Sequence, residues 1–154
     1  MAENPMTARE YSLLKRGARM LSRLQTPIYK LSAGRLWGTL SGREVCLVTM
    51  TGAKSGKRIT RAVMYVPSGQ DVLVIGSLGG APKSPIWVKN LLANPDVEIQ
   101  HKGEKRQLRA RLADPEEKAR LWPTAVKHYP AYADYQARTD RDIPLFVCEP
   151  PLNG

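Results

Sequence analysis

The sequence has few of the residues from which disulfide frameworks and metal centres are built. Its 154 residues include two cysteines, Cys46 and Cys148, and two histidines. Two cysteines are too few for a disulfide framework, so we expect a reduced, cytoplasmic setting and a core position for both thiols. No CxxC or HExxH pattern occurs, and His101 and His128 stand alone in their segments. The sequence therefore predicts no metal site.

Long apolar stretches and two common catalytic motifs are absent as well. The longest stretch without a charged residue, Val72–Pro82, has eleven residues, whereas a membrane-spanning helix needs about 20. No apolar segment follows a basic start, so we expect neither a transmembrane span nor a signal peptide. A G-x-S-x-G elbow is missing, which disfavours a serine hydrolase of that type. The stretch Gly52–Arg58 has three residues between its glycines where a phosphate loop has four, which disfavours a nucleotide triphosphatase.

Positive charge is the property that the sequence has in excess. Lys and Arg number 24 against 14 Asp and Glu, which gives a formal net charge of +10. Residues 1–61 hold 12 basic and three acidic residues, whereas residues 62–154 hold 12 and 11. Such a field attracts an anionic small molecule, an anionic membrane surface or nucleic acid. Because neither an aromatic ladder nor a helix-turn-helix spacing accompanies the basic residues, we expect no specific nucleic-acid partner.

Hydrophobic periodicity predicts an α+β chain that folds as one structural unit. A basic amphipathic helix is predicted over residues 11–24 and a short second helix from Thr26 to Gly34. The other predicted elements are strands at 45–51, 60–66, 72–77, 97–101, 105–112 and 143–149 and helices at 85–93 and 115–127. Short turns between the strands favour a mainly antiparallel sheet closed into a barrel. We divide the unit into an N-terminal basic helical segment, residues 1–35, and a barrel, residues 36–154.

The first predicted helix has two alternative places. Its apolar face carries Leu14, Ala18 and Leu21, and it can pack on the barrel or lie on a membrane surface. The sequence leaves both open. We expect a cytoplasmic protein. The alternative is peripheral association with the inner membrane face through residues 11–24.

Three segments carry residues suited to an anionic, partly flat ligand. Lys54–Arg61 has four cations and two hydroxyls, and the backbone N–H groups of Gly52 and Gly56 are expected to be free. The glycine loop, Gly76–Gly80, allows a flat ligand to approach the backbone. Tyrosines recur every three residues at 129, 132 and 135 and could line an apolar pocket with hydroxyl donors. Each segment, taken alone, could equally be a solvated turn, a flexible loop or ordinary packing.

Together these segments resemble the deazaflavin-dependent nitroreductase family, whose members occur largely in actinobacteria. The resemblance extends from about Leu24 to Glu149 and rests on three motifs that follow in the family's order. They are Thr51-Gly52-Ala53-Lys54-Ser55-Gly56, then Gly79-Gly80-Ala81-Pro82-Lys83 with Pro85, Trp87 and Asn90–Pro95, then Tyr129-Pro130 with Tyr132, Tyr135, Gln136 and Thr139-Asp140-Arg141. Agreement of three separated motifs is more specific than any one of them.

The resemblance implies a split β-barrel of the flavin-binding type and coenzyme F-420, an 8-hydroxy-5-deazaflavin with a phosphate and a polyglutamate tail. It implies a reductase that transfers a hydride from the reduced deazaflavin to a quinone, a nitroaromatic or an enone. By position, the residues implied to hold the phosphate and tail are Lys54, Ser55, Gly56, Lys57, Arg58, Thr60 and Arg61. Those implied to line the ring are Ala62, Gly76, Ser77, Gly79, Gly80, Pro85, Trp87 and Asn90. Those implied to face the acceptor are Tyr65, Ser77, Tyr129, Tyr132 and Tyr135, with Ser77 or Tyr132 as the hydrogen-bond or proton donor.

The chain departs from the family pattern in the basic segment: the family usually has an arginine before Lys54, and Pro-Arg-Thr-Thr-Pro where this chain has Arg58-Ile59-Thr60-Arg61-Ala62. Ile59 stands where the family usually has an arginine, and Arg58 or Arg61 could replace that charge. Other readings of the same barrel stay open on sequence alone: it could bind FMN, haem or a lipid-like ligand. Because split barrels often dimerise, a homodimer is also compatible with the sequence.

Overall fold

The computed structural model describes residues 5–16, 39–40 and 43–152. Within these ranges the helices are α1 (residues 8–16), α2 (Trp87–Ala93), α3 (Pro115–His128) and α4 (Ala131–Ala137), with a 3-10 turn at Leu78–Gly80. The strands are β1 (Thr39–Leu40), β2 (Arg43–Thr51), β3 (Arg58–Met64), β4 (Val66–Ser68), β5 (Asp71–Ile75), β6 (Asp96–His101), β7 (Glu104–Leu112) and β8 (Leu145–Glu149). No helix among the described residues is both long enough and apolar enough to cross a bilayer.

The strands form a closed antiparallel barrel. β2 pairs with β6, and the order continues through β7, β8 and β5 to β4. On its other edge β2 pairs with β3, and every described pairing is antiparallel. Only Tyr65 separates β3 from β4, so the chain itself closes the ring between the two ends of the sheet. The predicted antiparallel barrel is confirmed.

A break at Tyr65 divides the single strand that was predicted over residues 60–66. The Tyr65 N–H donates to the carbonyl of Glu44 at 3.0 Å, outside the regular β2–β3 ladder. Beyond the break β4 leaves β2 and pairs with β5, and a two-residue turn joins Ser68 to Asp71. Gly69 in that turn has φ +61°, a value that suits glycine. Because of this bend, one stretch of chain pairs with β2 through β3 and with β5 through β4.

Alternating apolar residues fill the barrel interior. Cys46, Val48 and Met50 point inward from β2 and are buried, and they pack with Phe146 and Cys148 from β8. Both cysteines are free and buried, as predicted. One end of the interior is closed by α2, which contributes Trp87, Val88 and Leu91. This helix begins at Trp87, two residues after the predicted start, because its N-cap is Ile86, and the carbonyl of Pro85 accepts from the Val88 N–H at 3.1 Å in the turn that precedes it.

A second buried cluster lies on the outer face of the barrel, beneath α3 and α4. Val66, Leu73 and Leu145 from the strands pack there with Ala125 and Tyr132 from the helices. The start of α3 agrees with the prediction. The Asp114 side chain accepts from the N–H of Glu117 at 2.8 Å, and Pro115 occupies the first turn. The cluster fixes α4 against β4, β5 and β8.

Helix α1 begins earlier than predicted. Its first described turn starts at residue 8, not 11, because Thr7 and Glu10 form a reciprocal cap. The Thr7 N–H donates to Glu10 Oε2 at 2.7 Å, and the Glu10 N–H donates to Thr7 Oγ1 at 3.2 Å. The predicted continuation to residue 24, the predicted helix from Thr26 to Gly34 and the predicted boundary at residue 35 lie outside the described residues. The division into two segments stays a prediction.

Ion pairs between α3 and the last two strands make a pH-dependent contribution to stability. Arg111 donates two hydrogen bonds to Glu117, at 2.5 and 2.9 Å, and its Nε donates to Glu149 at 2.9 Å. These bonds from Arg111 hold the pKa of Glu117 below its ordinary value of 4.5. Because the folded pKa is the lower one, the contribution is present above about pH 4.5 and is lost as pH falls through the folded pKa.

We therefore expect Glu117→Gln to lower the free energy of unfolding by about 1 kcal/mol at pH 7 and to have a smaller effect at pH 3. Urea unfolding at both pH values measures the difference. Glu116→Gln, at the exposed neighbouring position in the same helical turn, is the matched control. An equal loss for Glu117→Gln at both pH values would contradict the ion-pair explanation.

Candidate active site

The outer face of β3 links two of the predicted binding segments. In the β2–β3 register, Arg58, Thr60 and Ala62 lie opposite Thr51, Thr49 and Leu47 and so share the outer face. The hydroxyls of Thr49 and Thr60 are 2.9 Å apart on that face. At its far end, Met64 packs against both Leu47 and the cluster that contains Tyr132. One continuous face of the strand therefore runs from the basic turn, residues 52–58, to the helices that carry the tyrosines.

Strand alternation places Ile59 and Arg61 on the other face of β3. They lie opposite Met50 and Val48, which point into the barrel. Ile59 packs against the interior, and a Cβ on Gly52 would lie 3.1 Å from its Cδ1 atom. The structure therefore does not bring Arg61 to the face that carries Arg58. The apolar residue at 59 fits its surroundings because it completes the core at the end of the barrel.

Backbone N–H groups of the basic turn are hydrogen-bonded to acceptors within the turn itself. The N–H of Gly52 donates to the carbonyl of Lys57 at 2.8 Å, and the N–H of Gly56 donates to the carbonyl of Gly52 at 3.0 Å. The Lys57 N–H donates to Ser55 Oγ at 3.2 Å. The expectation that Gly52 and Gly56 offer free N–H groups is wrong, because these groups close the turn. The anion-binding capacity of the turn rests on its side chains.

Three cations of the turn are available for a ligand. Lys54, Lys57 and Arg58 are exposed, and no ion pair with a carboxylate is found for them within the part of the chain that the structure describes. Gly56 has φ +66°, and a Cβ there would meet nothing within 4 Å. The space above the turn is therefore open, and a phosphate or several carboxylates can approach all three cations.

Asn90 supports the basic turn from below. Its side chain is buried, and Oδ1 accepts from the N–H of Ala53 at 2.9 Å. Its Nδ2 points at the sulfur of Met50 at 3.8 Å, and Asn94 donates to the carbonyl of Thr51 at 3.4 Å. Asn90 of α2 thus holds the turn, and Asn94, the residue that follows the helix, holds the end of β2 just before the turn. The structure gives Asn90 a role in the turn, whereas the resemblance implied contact with the ring.

The glycine loop follows β5 and lies against both α2 and α4. A Cβ on Gly76 would lie 2.9 Å from Val88 Cγ2 of α2. Gly80 has φ +76°, and a Cβ there would lie 2.5 Å from the carbonyl oxygen of Tyr135 in α4. Ser77 between them is buried. Close backbone approach at Gly80 is therefore a packing requirement of the loop and α4.

Tyr129, Tyr132 and Tyr135 form one tyrosine cluster beside the glycine loop. Their ring centroids are 5.0 to 6.3 Å apart, and the hydroxyls of Tyr129 and Tyr135 are 3.1 Å apart. Tyr132 is 4% exposed, and burial raises the pKa of its hydroxyl. Tyr129 and Tyr135 are half-buried, and burial together with the Tyr129 hydrogen bond raises the pKa of Tyr135 to about 12. The raised pKa values of Tyr132 and Tyr135 keep these two hydroxyls protonated at neutral pH.

Tyr65 lies away from this cluster. Its ring packs against the barrel interior and stacks on His101 with 3.5 Å between centroids. His101 in turn contacts Glu44 at 2.8 Å. The pair borders a cleft of about 240 Å³ between the β4–β5 and β6–β7 turns. The structure therefore does not group Tyr65 with the three tyrosines of the cluster, which pack on the outer face of the barrel.

Arg141 belongs to the third motif of the resemblance, but the sequence analysis assigned it no role in the site. Arg141 is half-buried, and its guanidinium donates to the carbonyls of Gly76, Ser77 and Ala81, at 3.2, 2.7 and 2.7 Å. It also donates to Ser84 Oγ at 3.3 Å. Burial lowers the pKa of this guanidinium. The signal in the sequence is its place in the third motif, four residues before the last buried strand.

Helix α1 packs on the glycine loop in its described part. A Cβ on Gly79 would lie 3.0 Å from Leu14 Cδ2 and 3.9 Å from Met6 Cε. Leu14 is on the face that was predicted to be apolar, whereas Leu13 beside it is 58% exposed. The described turns of the helix therefore lie on the body of the protein, next to the candidate ring site.

Comparison with known proteins identifies the family. The family model for F420H(2)-dependent quinone reductases matches residues 21–150. The chain belongs to this family. The match confirms the predicted deazaflavin-dependent family, an oxidoreductase as the class of enzyme and coenzyme F-420 as the cofactor.

Several relatives of the F420H(2)-dependent quinone reductase family are similar over most of the barrel. A curated member from Mycobacterium tuberculosis is 37% identical over 131 residues, which are 82% of this chain and 88% of the relative. A solved F420-H2 dependent reductase is 42% identical, with TM-score 0.65, and the match covers 68% of this chain and 93% of that one. A structure described as a domain-swapped dimer is 39% identical, with TM-score 0.67, covering 82% and 96%. Together with the topology, these structures confirm the split-barrel fold.

The residues present fit the family's cofactor. A tail with a phosphate and several carboxylates needs convergent cations, and the basic turn supplies three that are exposed over open space. A flat ring needs a wall with few protruding side chains; Ala62 supplies one on the outer face of β3, and the glycine loop, which follows β5, is the second candidate wall. Among the described residues no group of three His, Cys, Asp or Glu side chains is arranged for a metal ion.

Proposed function

We propose that this protein uses reduced coenzyme F-420 to reduce a quinone. The observation that carries the proposal is the outer face of β3, which has three cations at its start and the tyrosine cluster at its end. Lys54, Lys57 and Arg58 would hold the phosphate and tail. The face of Ala62, the glycine loop and Ser77 would receive the ring. When bound, the reduced ring supplies the hydride.

The residues around the ring have three tasks. They orient an acceptor flat against the ring, exclude water, and donate a hydrogen bond or proton to the oxygen on which negative charge develops. Ser77 and the paired hydroxyls of Tyr129 and Tyr135 are the candidate donors. The raised pKa of Tyr135, about 12, keeps that hydroxyl protonated over the physiological range. Tyr132 packs in the cluster at 4% exposure, so its proposed catalytic role requires the cluster to open.

Single Tyr→Phe variants test the donor assignment. We expect Tyr135→Phe to lower turnover of menadione with reduced F-420 by about tenfold to hundredfold. The Kd of F-420 should stay unchanged because the hydroxyl lies at the acceptor side of the site. Tyr132→Phe is the matched control, since its hydroxyl is buried, and should cost less than Tyr135→Phe. A larger loss in Tyr132→Phe would transfer the donor role to Tyr132 and contradict the assignment to Tyr135.

Several finer properties are part of the same proposal. Nitroaromatics and enones are proposed as further acceptors, since both develop charge on an oxygen or activated carbon when a hydride arrives. A homodimer is proposed with support from the related domain-swapped dimer. A cytoplasmic location with contact at the inner membrane face would bring the enzyme to a membrane-dissolved quinone. Liposome co-sedimentation with and without residues 1–25 tests the membrane contact.

A further inference from the structure

One side chain joins the glycine loop to the segment that follows α4. The Arg141 guanidinium donates from Nε, Nη1 and Nη2, and it reaches three backbone carbonyls between Gly76 and Ala81 as well as the Ser84 hydroxyl. The loop has few other bonds that hold it to the body of the protein. Within the described residues its backbone ties are the Gly76 N–H to the carbonyl of Pro144, at 2.9 Å, and two local turns. Most of the loop's polar anchoring therefore comes from Arg141.

The backbone that carries Arg141 is itself fixed to the helices. Gln136 in α4 donates from Nε2 to the carbonyl of Arg141 at 2.8 Å. Its Oε1 accepts from the N–H of Ile143 at 3.0 Å and from Lys118 Nζ of α3 at 3.1 Å. The backbone around Arg141 is thus held to α3 and α4 by Gln136, and Lys118 of α3 also pairs with the neighbouring Asp142. A chain of hydrogen bonds runs from α3 through α4 to the carbonyls of the glycine loop.

The glycine loop and α4 also meet directly, with no side chain between their backbones at Gly80. Gly80 lies so close to Tyr135 that a Cβ would be 2.5 Å from its carbonyl oxygen. The distance between loop and helix is therefore set by backbone contact at Gly80 and by the guanidinium bonds a few residues away. Lysine cannot reproduce the second constraint, because one ammonium lacks the planar fork that reaches acceptors on several sides.

We propose that Arg141 is a positioning residue that fixes the glycine loop at a set distance from the tyrosine cluster. It touches neither ring nor acceptor in this proposal. It holds Ser77 and the glycines as a rigid wall, so that the loop binds a flat ring without first having to be ordered. The inference rests on the proposed function for its ligand, whereas the loop constraint itself stands on the contacts of this chain.

The test compares Arg141→Ala and Arg141→Lys with Arg109→Ala. Arg109 is exposed, and its Nη1 atom lies 3.4 Å from Oδ1 of Asp96. Hydrogen exchange at the amides of Gly80 and Ala81 is measured without cofactor, and the Kd of F-420 by fluorescence. We expect both Arg141 variants to exchange these amides at least tenfold faster and to bind F-420 at least tenfold more weakly. The Arg109 variant should match the wild type in both.

Chemical rescue separates positioning from general loss of structure. Guanidinium at low millimolar concentration should restore loop protection and F-420 binding in Arg141→Ala, whereas it can only weaken an unstable fold. If Arg141→Ala does not fold, Arg141→Lys with the exchange and binding measurements decides the matter. Wild-type exchange rates in the loop, or faster exchange with an unchanged Kd, would overturn the proposal. Failure of the wild type to bind F-420 would contradict the proposed function instead, and the exchange data would still show whether Arg141 holds the loop.

Discussion

Replacing Gly80 with alanine is expected to separate α4 from the glycine loop and to remove most of the turnover. The residue has φ +76°, and the added Cβ would lie 2.5 Å from the carbonyl oxygen and 3.0 Å from the Cα of Tyr135. These are backbone atoms of a helix, so no side-chain rotation can relieve the contact. The backbone conformation alone costs about 1–2 kcal/mol, and displacement of the helix brings the total loss of stability to about 3 kcal/mol.

Gly69→Ala is the matched control for this prediction. Gly69 has φ +61°, nearly the same conformation, but a Cβ there would meet nothing within 4 Å. It should lose only the conformational part, about 1–2 kcal/mol, and should keep its turnover. Urea unfolding and quinone turnover of both variants measure the two effects. Equal losses of stability and activity in the two variants would mean that the contact with Tyr135 is unimportant.

Charge reversal at Lys54 is expected to give the largest change in cofactor affinity. Lys54 is exposed in the basic turn, over open space and beside Lys57 and Arg58. A charge-assisted bond to phosphate or carboxylate contributes about 2 kcal/mol, and a glutamate there adds repulsion. We therefore expect Lys54→Glu to raise the Kd of F-420 about 30-fold or more at low salt, with a smaller factor at high salt.

Lys127→Glu supplies the control for the overall charge. Lys127 is exposed in the last turn of α3 and changes the net charge by the same amount. Its effect on the Kd of F-420 should stay within about twofold, since Lys127 is exposed outside the basic turn and its field is screened by solvent and salt. Equal effects of the two substitutions would show that only the long-range field of the protein matters and that the turn makes no direct contact.

Local signals in the sequence were sufficient for most of the barrel. The apolar run at residues 45–51 predicted strand β2, the core position of Cys46 was expected, and the Asp114-Pro115 pair marked the start of α3. The break at Tyr65 could not be predicted in this way. It depends on a contact with Glu44, and on the exchange of one pairing partner for another, both of which are long-range. The cap of α1 was missed although Thr7 and Glu10 have the spacing of a capping box.

The site was predictable as a set of segments but not as a geometry. Spacing and resemblance pointed to the basic turn, the glycine loop and the tyrosine cluster. Whether a glycine amide is free depends on how the turn closes, and the amides of Gly52 and Gly56 are used internally. Ile59 and Arg61 could have been assigned to the inner face of β3 from alternation, once its partner in the register was known. Arg141 gave no periodic signal, because its partners lie 57 to 65 residues away in the chain.

A titration of the purified protein with F-420 and with FMN tests the central claim most directly. Fluorescence follows both ligands, at low and at high salt. The account predicts saturable binding of F-420 that weakens as salt screens the basic turn, and no binding of FMN at the same concentrations. Binding of FMN as tight as that of F-420, or no binding of F-420 at low salt, would contradict the assignment of this face of the barrel to the deazaflavin cofactor.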